Sequence, residues 1–296
     1  MTLTLAPIPP DVSRAITLRQ RVILLGASNL TRAFRTVYRL LTKKFGSNLE
    51  IMAALGAGRS YGLHSRVIAR VLGPITESSI WETWAARTNL PTAALLTDIG
   101  NDLFYGAEVP QIAAWVEECL ARLRPRCARI ALTLVPADNV RLISAWRFGL
   151  LRRVSFPHCR LSLKEAGDRA AALNERLVAL AARYQVETVP QPVDWYGFDP
   201  IHHQLFQYFP IWEKIFSAWD RPDLPPELPG QQVPARGAMT LSLEPRRASD
   251  NANAETLPLW NWWRRCWPQR QTIWGRECFT PQPSYDSRSG TTLELY

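Results

Sequence analysis

The chain has 296 residues, 47% hydrophobic, 21% charged and 10% aromatic, a globular composition sufficient for one large domain or a smaller one with an appendage. Its formal charge of +9 rests on arginines scattered among acidic residues, and no nucleic-acid-binding motif is present, so nucleic acid is excluded as an expected partner. Five cysteines (Cys119, Cys127, Cys159, Cys266 and Cys278) with no C-x-x-C pair argue against a disulfide framework and against a metal site of the zinc type.

The opening stretch, residues 1–20, reads as an N-terminal extension. It lacks a basic segment followed by an apolar one, and no apolar run reaches the ~18 residues of a membrane span, so a cytoplasmic protein is expected. From residue 21 apolar runs of strand length alternate with amphipathic stretches. The first run, 21–26 (RVILLG), ends at Gly26 and delivers Ser28 before a helix at 29–44. The second, 49–55, leads into GAGRSYG at 56–62 and a helix expected over 61–72. The third, 92–98, leads into DIGNDLFYG at 98–106, then a helix at 108–123. The fourth, 129–136, precedes NVRLISAWRFGLLRRVSF, residues 139–156. With Arg147, Arg152 and Arg153, that segment reads either as a basic, partly apolar wall near a site or as an amphipathic surface helix. The helix over 164–184 has the clearest period, with Ala166, Ala170, Leu173, Leu177 and Leu180 on one face. A fifth strand at 185–189, the turn DWYGFDPIHH at 194–203 and a helix at 204–219 close the series.

The strands are continuous apolar runs rather than alternating ones, as in strands buried on both faces of a parallel sheet. The expectation is a single α/β domain over 21–220, with a three-layer α/β/α build around a mostly parallel five-stranded sheet of flavodoxin-like type. Residues 221–296 form a Pro/Trp-rich tail that reads as loosely ordered. Within it Trp260, Trp263 and Trp267 share a helical face with Arg264 and Arg265 between them. That pattern suits membrane-surface contact, but the preferred reading is a tail that packs its tryptophans back on the domain or has no fixed structure.

Ligands of open parallel sheets bind beyond the carboxyl ends of the strands. Ser28, the glycines of 56–62, Gly100-Asn101-Asp102 and Asp199 with His202 all fall there. Each has a bland alternative. Ser28 is an ordinary helix N-cap residue, Gly56, Gly58 and Gly62 permit a tight turn, and Asp102 suits a cap or turn. His64 and His158 have no evident partner and read as surface or structural residues. Taken together, the turns hold the parts of an acyl-transfer site: a serine nucleophile, an imidazole base oriented by a carboxylate, and donors for an oxyanion.

These blocks resemble, in order, those of the SGNH (GDSL-type) hydrolase superfamily of esterases and lipases, over about residues 20–220. ILLGASN matches the first block, with Ser28 as nucleophile and oxyanion donor behind Gly26. GAGRSYG matches the second, with Gly58 as the oxyanion glycine. GND matches the third, with Asn101 as side-chain donor flanked by Gly100 and Asp102. DPIH matches the last, with Asp199 and His202 as acid and base, although His203 adjoins. The resemblance implies hydrolysis of a small-molecule, acylated-sugar or lipid ester, without metal or organic cofactor. It departs from the family at Ala27, where the block usually carries an acidic residue, and that change is expected to affect the turn more than the chemistry. The alternatives are an O-acyltransferase or a non-catalytic carbohydrate- or lipid-binding relative. A flavodoxin-like nucleotide-phosphate binder would leave Asp199 and His202 without a role, and the chain has no P-loop.

Overall fold

The computed structural model describes residues 6–7, 18–67, 70–220, 270–273, 276–279, 284–286 and 291–296. Trp260, Trp263 and Trp267 lie outside them. Five parallel strands form the centre of the sheet in the order Leu49–Ala54, Gln20–Leu25, Thr92–Leu96, Arg129–Thr133 and Glu187–Val189. Their side chains explain the unbroken apolar runs. In the first strand Ile23 and Leu25 enter one core with the Val109–Leu123 and Leu163–Tyr184 helices. Val22 and Leu24 enter the other, with the Ser28–Phe45 and Tyr208–Ser217 helices. Successive residues of a strand point to opposite faces, and here both faces are covered. The three-layer α/β architecture is therefore present.

The long helix Leu163–Tyr184 follows its sequence pattern closely. Ala166, Ala170, Leu173, Leu177 and Leu180 are all buried, and Ser162 with Glu165 forms a capping box at its start. The segment 139–156 folds as two helices, Ala137–Leu142 and Ala145–Ser155, over a small apolar cluster that includes Phe104, Phe148 and Phe156.

Two expectations are corrected. The segment 61–72 is not helical; Ser65–Val67 and Arg70–Leu72 pair antiparallel in a second, four-stranded sheet with Arg270–Ile273 and Arg276–Phe279. Pairing of Arg70–Leu72 with Arg270–Ile273 brings in a strand partner from a distant part of the chain, which no local pattern within 61–72 announces. The second correction concerns the sheet and its boundary. Thr291–Leu295 lies parallel against Leu49–Ala54, followed outward by the antiparallel Ser284–Asp286 and Ala6–Pro7, so the sheet has eight strands rather than five. The tail is thus not loosely ordered throughout: residues 291–296 are buried and belong to the domain. Five residues with no apolar run carry little local signal, and the open edge of Leu49–Ala54 is what recruits them.

That edge is fastened by buried charge. Glu50, 1% exposed, accepts from Arg21 Nε at 2.5 Å and faces Arg87 Nε at 3.4 Å; Arg87 also pairs with Glu294 of the last strand. Two arginines and two glutamates thus neutralise one another across three adjacent strands and the chain just past the Ile80–Ala86 helix. Breaking such a network from one side leaves uncompensated buried charge. Glu50→Gln is expected to cost about 3–5 kcal/mol of stability, read as a lowered urea midpoint with an unchanged m-value.

Candidate active site

The first strand ends at Leu25 and the helix that follows begins at Ser28, with Ala27 as its N-cap. Ala27 has no side-chain acceptor to offer the first-turn N–H groups. Asp98, just past the third strand, supplies it instead. Its Oδ2 accepts the amides of Ala27 at 2.9 Å and Leu30 at 3.1 Å, and its Oδ1 accepts Asn29 Nδ2 at 2.9 Å. Asp98 adopts φ +61°, one of the few non-glycine residues in the left-handed region, where Asp is among the better tolerated. The turn therefore does not lack a carboxylate although residue 27 is alanine. Ser28 is the first residue of the helix rather than its cap, and the capping role is filled by Asp98.

Asn29 joins this turn to the Asp199–His202 loop. Its Nδ2 also donates to the Ile201 carbonyl at 3.0 Å, and its Oδ1 accepts the His203 amide at 2.8 Å. His202 is thus bracketed by two residues bonded to the neighbour of Ser28. Its Nδ1 lies 2.6 Å from Asp199 Oδ2, while Asp199 Oδ1 accepts the amides of Ile201 at 3.1 Å and His202 at 3.3 Å. Burial would raise the Asp199 carboxyl, but the hydrogen bond and charge of His202 and those two amides hold it below the ordinary carboxylate range. Arg32, one helical turn beyond Ser28, stands 3.7 Å from the same oxygen. Among the described residues Ser28 and His202 share no direct hydrogen bond, and their turns are joined through Asn29.

The adjacent imidazole has a different fate. His203 is 2% exposed, packed among the rings of Trp195, Tyr196 and Trp212, with Nε2 at 2.8 Å from Gln191 Oε1. Burial, seconded by the charges of His202 and Arg32 and opposed by Asp98, pushes it down to about 4. His64 and His158 are exposed.

The glycine turn and the third-strand turn are also tied together. Gly58 has φ +71°, a conformation glycine adopts without strain, and its carbonyl accepts the Tyr105 hydroxyl at 2.6 Å. Asn101 heads the short helix Asn101–Phe104 and donates Nδ2 to the Arg59 carbonyl at 3.4 Å. Gly62 serves packing instead: a Cβ there would lie 1.9 Å from the Trp115 ring. Asp102 is fully buried and accepts the Ser60 hydroxyl and the Tyr61 amide, so it works as an anchor for the glycine turn. Burial pushes its carboxyl up to about 6 against those hydrogen bonds. Tyr61 completes the frame by donating its hydroxyl to the Leu25 and Thr97 carbonyls, at the ends of the first and third strands. Gly26 and Gly100 stand beside Thr97 and Val135, with little room for a side chain.

The helices of 139–156 flank the Asp199–His202 loop. Asn139 donates to the Pro200 carbonyl, and Arg147 donates to the Gly197 carbonyl at 2.8 Å while its guanidinium covers the Phe198 ring. Trp146 packs on Phe198 with ring centroids 5.7 Å apart, and Leu142, Trp146, Leu150 and Phe198 are all exposed.

Asp98, Asn29, Arg32, Arg59 and Tyr105 have no place in the sequence reading of the site. For Asp98 and Asn29 a signal existed, since both lie in strand-end turns, but nothing local says that one reaches the other.

No family model matches this chain, and no curated protein matches it. Among solved structures it is similar to Est24, a carbohydrate acetylesterase from Sinorhizobium meliloti, at 15% identity and TM-score 0.44, over 66% of this chain and 96% of that one. It is similar to the aryl esterase of M. smegmatis at 13% identity and TM-score 0.46, over 67% and 99%. It is also similar to a member of the lipolytic protein G-D-S-L family from Veillonella parvula, at 13% identity and TM-score 0.45, over 68% and 99%. Among the described residues no helix is long and apolar enough to cross a membrane.

Removal of the Asp98 carboxylate by Asp98→Ala leaves two helix amides and Asn29 without their acceptor. A loss of about 2–4 kcal/mol is expected, measurable by urea unfolding. The buried His203 has its own signature. A histidine whose value is lowered on folding contributes full stability above its unfolded value near 6.5, and that contribution is lost as pH falls toward about 4. Wild type is expected to lose stability more steeply than His203→Gln across that window, in urea midpoints taken at successive pH values.

Proposed function

We propose that this protein is a serine ester hydrolase working through an acyl-enzyme. Ser28 is the nucleophile, His202 the general base and Asp199 its orienting carboxylate. The observation that carries the reading is the Asp199–His202 pair, 2.6 Å apart and fastened by Asn29 to the turn that delivers Ser28.

The chemistry follows from these positions. Asp199 accepts from His202 Nδ1–H and so fixes the tautomer in which Nε2 is free to take a proton. His202 takes the Ser28 proton as Oγ bonds to the ester carbonyl carbon, and the carbonyl electrons move onto oxygen. Collapse of that intermediate breaks the bond to the alcohol, which leaves with the proton from His202. Water then repeats the sequence on the acyl-enzyme and releases the acid. The oxyanion is met by the Ser28 amide, which as the first residue of its helix has no intrahelical acceptor, by the Gly58 amide and by the Asn101 side chain. The helix N-terminus adds a favourable partial positive charge. The exposed apolar residues Leu142, Trp146, Leu150 and Phe198 beside the acid–base loop favour an ester with an apolar acyl or alcohol part.

A fluorophosphonate probe is expected to label the wild type and to leave Ser28→Ala unlabelled; labelling that persists in the variant would overturn the assignment. Asn101→Ala is expected to lower kcat by roughly 100-fold with KM little changed, as for loss of one oxyanion donor. Across esters of rising chain length, Trp146→Ala is expected to raise KM several-fold for the longer ones while sparing acetate, in steady-state assays.

A further inference from the structure

Resting on the hydrolase reading, we propose that the strand Thr291–Leu295 and Tyr296 hold the glycine turn in place through Arg59, which makes Arg59 a positioning residue of the site. Arg59 follows Gly58, the second amide of the oxyanion pocket, directly in sequence. Its side chain leaves the turn for the interior, where the residue is 5% exposed. There the guanidinium donates to three carbonyls: Gly73 at 3.1 Å, Leu55 at 3.3 Å, and Tyr296 in a short contact. Burial lowers it to about 10, so it stays charged at neutral pH, and a buried cation is tolerated only where its donors are met.

Two of those acceptors follow from the neighbouring chain. Leu55 ends the run of the second strand. Tyr296 is carried by the last strand, which pairs parallel with the second one, Leu295 opposite Ala53, with the Tyr296 amide donating to the Ala53 carbonyl at 2.9 Å. The last strand is fixed in turn by Glu294, through Arg87, to the buried charge network. On the other side the Arg59 backbone is held at both ends: its amide donates to the Gly56 carbonyl at 3.0 Å, and its carbonyl accepts Asn101 Nδ2. Arg59 therefore couples a strand from the far end of the chain to the peptide next to the oxyanion amide. A displacement of that amide by a fraction of an ångström weakens its bond to the developing charge more than any bond in the ground state.

The test compares Arg59→Gln and Arg59→Lys with Thr292→Pro, which disrupts pairing of the last strand while keeping Arg59. Leu177→Ala, a buried truncation in the Leu163–Tyr184 helix that leaves Arg59 and the last strand unchanged, serves as a destabilised control. In hydrogen exchange under folded conditions, amides 56–60 are expected to exchange about tenfold faster in Arg59→Gln and Thr292→Pro, and at the wild-type rate in Leu177→Ala. In ester turnover, kcat is expected to fall about tenfold or more in those two variants with KM near wild type, to recover in part in Arg59→Lys, and to be unchanged in Leu177→Ala. Should Arg59→Gln fail to fold, Arg59→Lys and Thr292→Pro carry the same comparison. Unchanged turn exchange in the folded variants would overturn the proposal, as would kcat losses that simply track melting temperature through Leu177→Ala. If the wild type neither turns over esters nor labels at Ser28, the hydrolase reading fails, while the exchange arm still decides whether the last strand holds the turn through Arg59.

Discussion

Three hydrogen bonds to one carboxylate organise the functional end of this molecule. Asp98, beyond the third strand, accepts two amides from the first turn of the Ser28–Phe45 helix and the side-chain amide of Asn29. Helix N-termini need acceptors, and a carboxylate there is favoured by the helix dipole as well. Because the acceptor comes from another strand, the cap also sets the spacing between the first and third strand ends. Asn29 extends the same bonding to the Asp199–His202 loop, so three separate turns are linked by hydrogen bonds.

The N-cap position and the capping group are divided between two residues: Ala27 holds the position without an acceptor, and Asp98 meets the amides of Ala27 and Leu30. The two histidines show a similar division. His203 is held neutral in an aromatic pocket and helps seat the loop, whereas His202 faces a carboxylate that its own hydrogen bond keeps ionised. A single residue of difference in position along the chain decides which imidazole is structural, because successive side chains of the loop point in opposite directions. Asp102 belongs to the structural side of this division too, as the buried anchor of Ser60 and Tyr61.

The opposite edge of the sheet depends on charge rather than on apolar packing alone. Arg21, Glu50, Arg87 and Glu294 lie in contact where the last strand joins the sheet. A short strand with polar residues gains little from local propensity, and mutual neutralisation inside the fold supplies a specific reason for it to sit there. Through Arg59 the last strand also meets the glycine turn.

The sequence by itself determined the alternation of strands and helices, the five central strands, the two-faced burial of the sheet, the apolar stripe of the 163–184 helix and the turns in which polar residues collect. These features arise from periodicity and from glycine, serine and aspartate chemistry within a few residues, so they can be read without the fold. Only the tertiary structure decided the hairpin at 65–72, the insertion of Thr291–Leu295, the capping of the Ser28 helix by Asp98 and the burial of His203 beside Gln191. Each of those depends on a partner between about a dozen and more than two hundred residues away. A hydrogen bond or a strand edge at that separation leaves no pattern in the local sequence, because its energy exists only once the chain has brought both groups together.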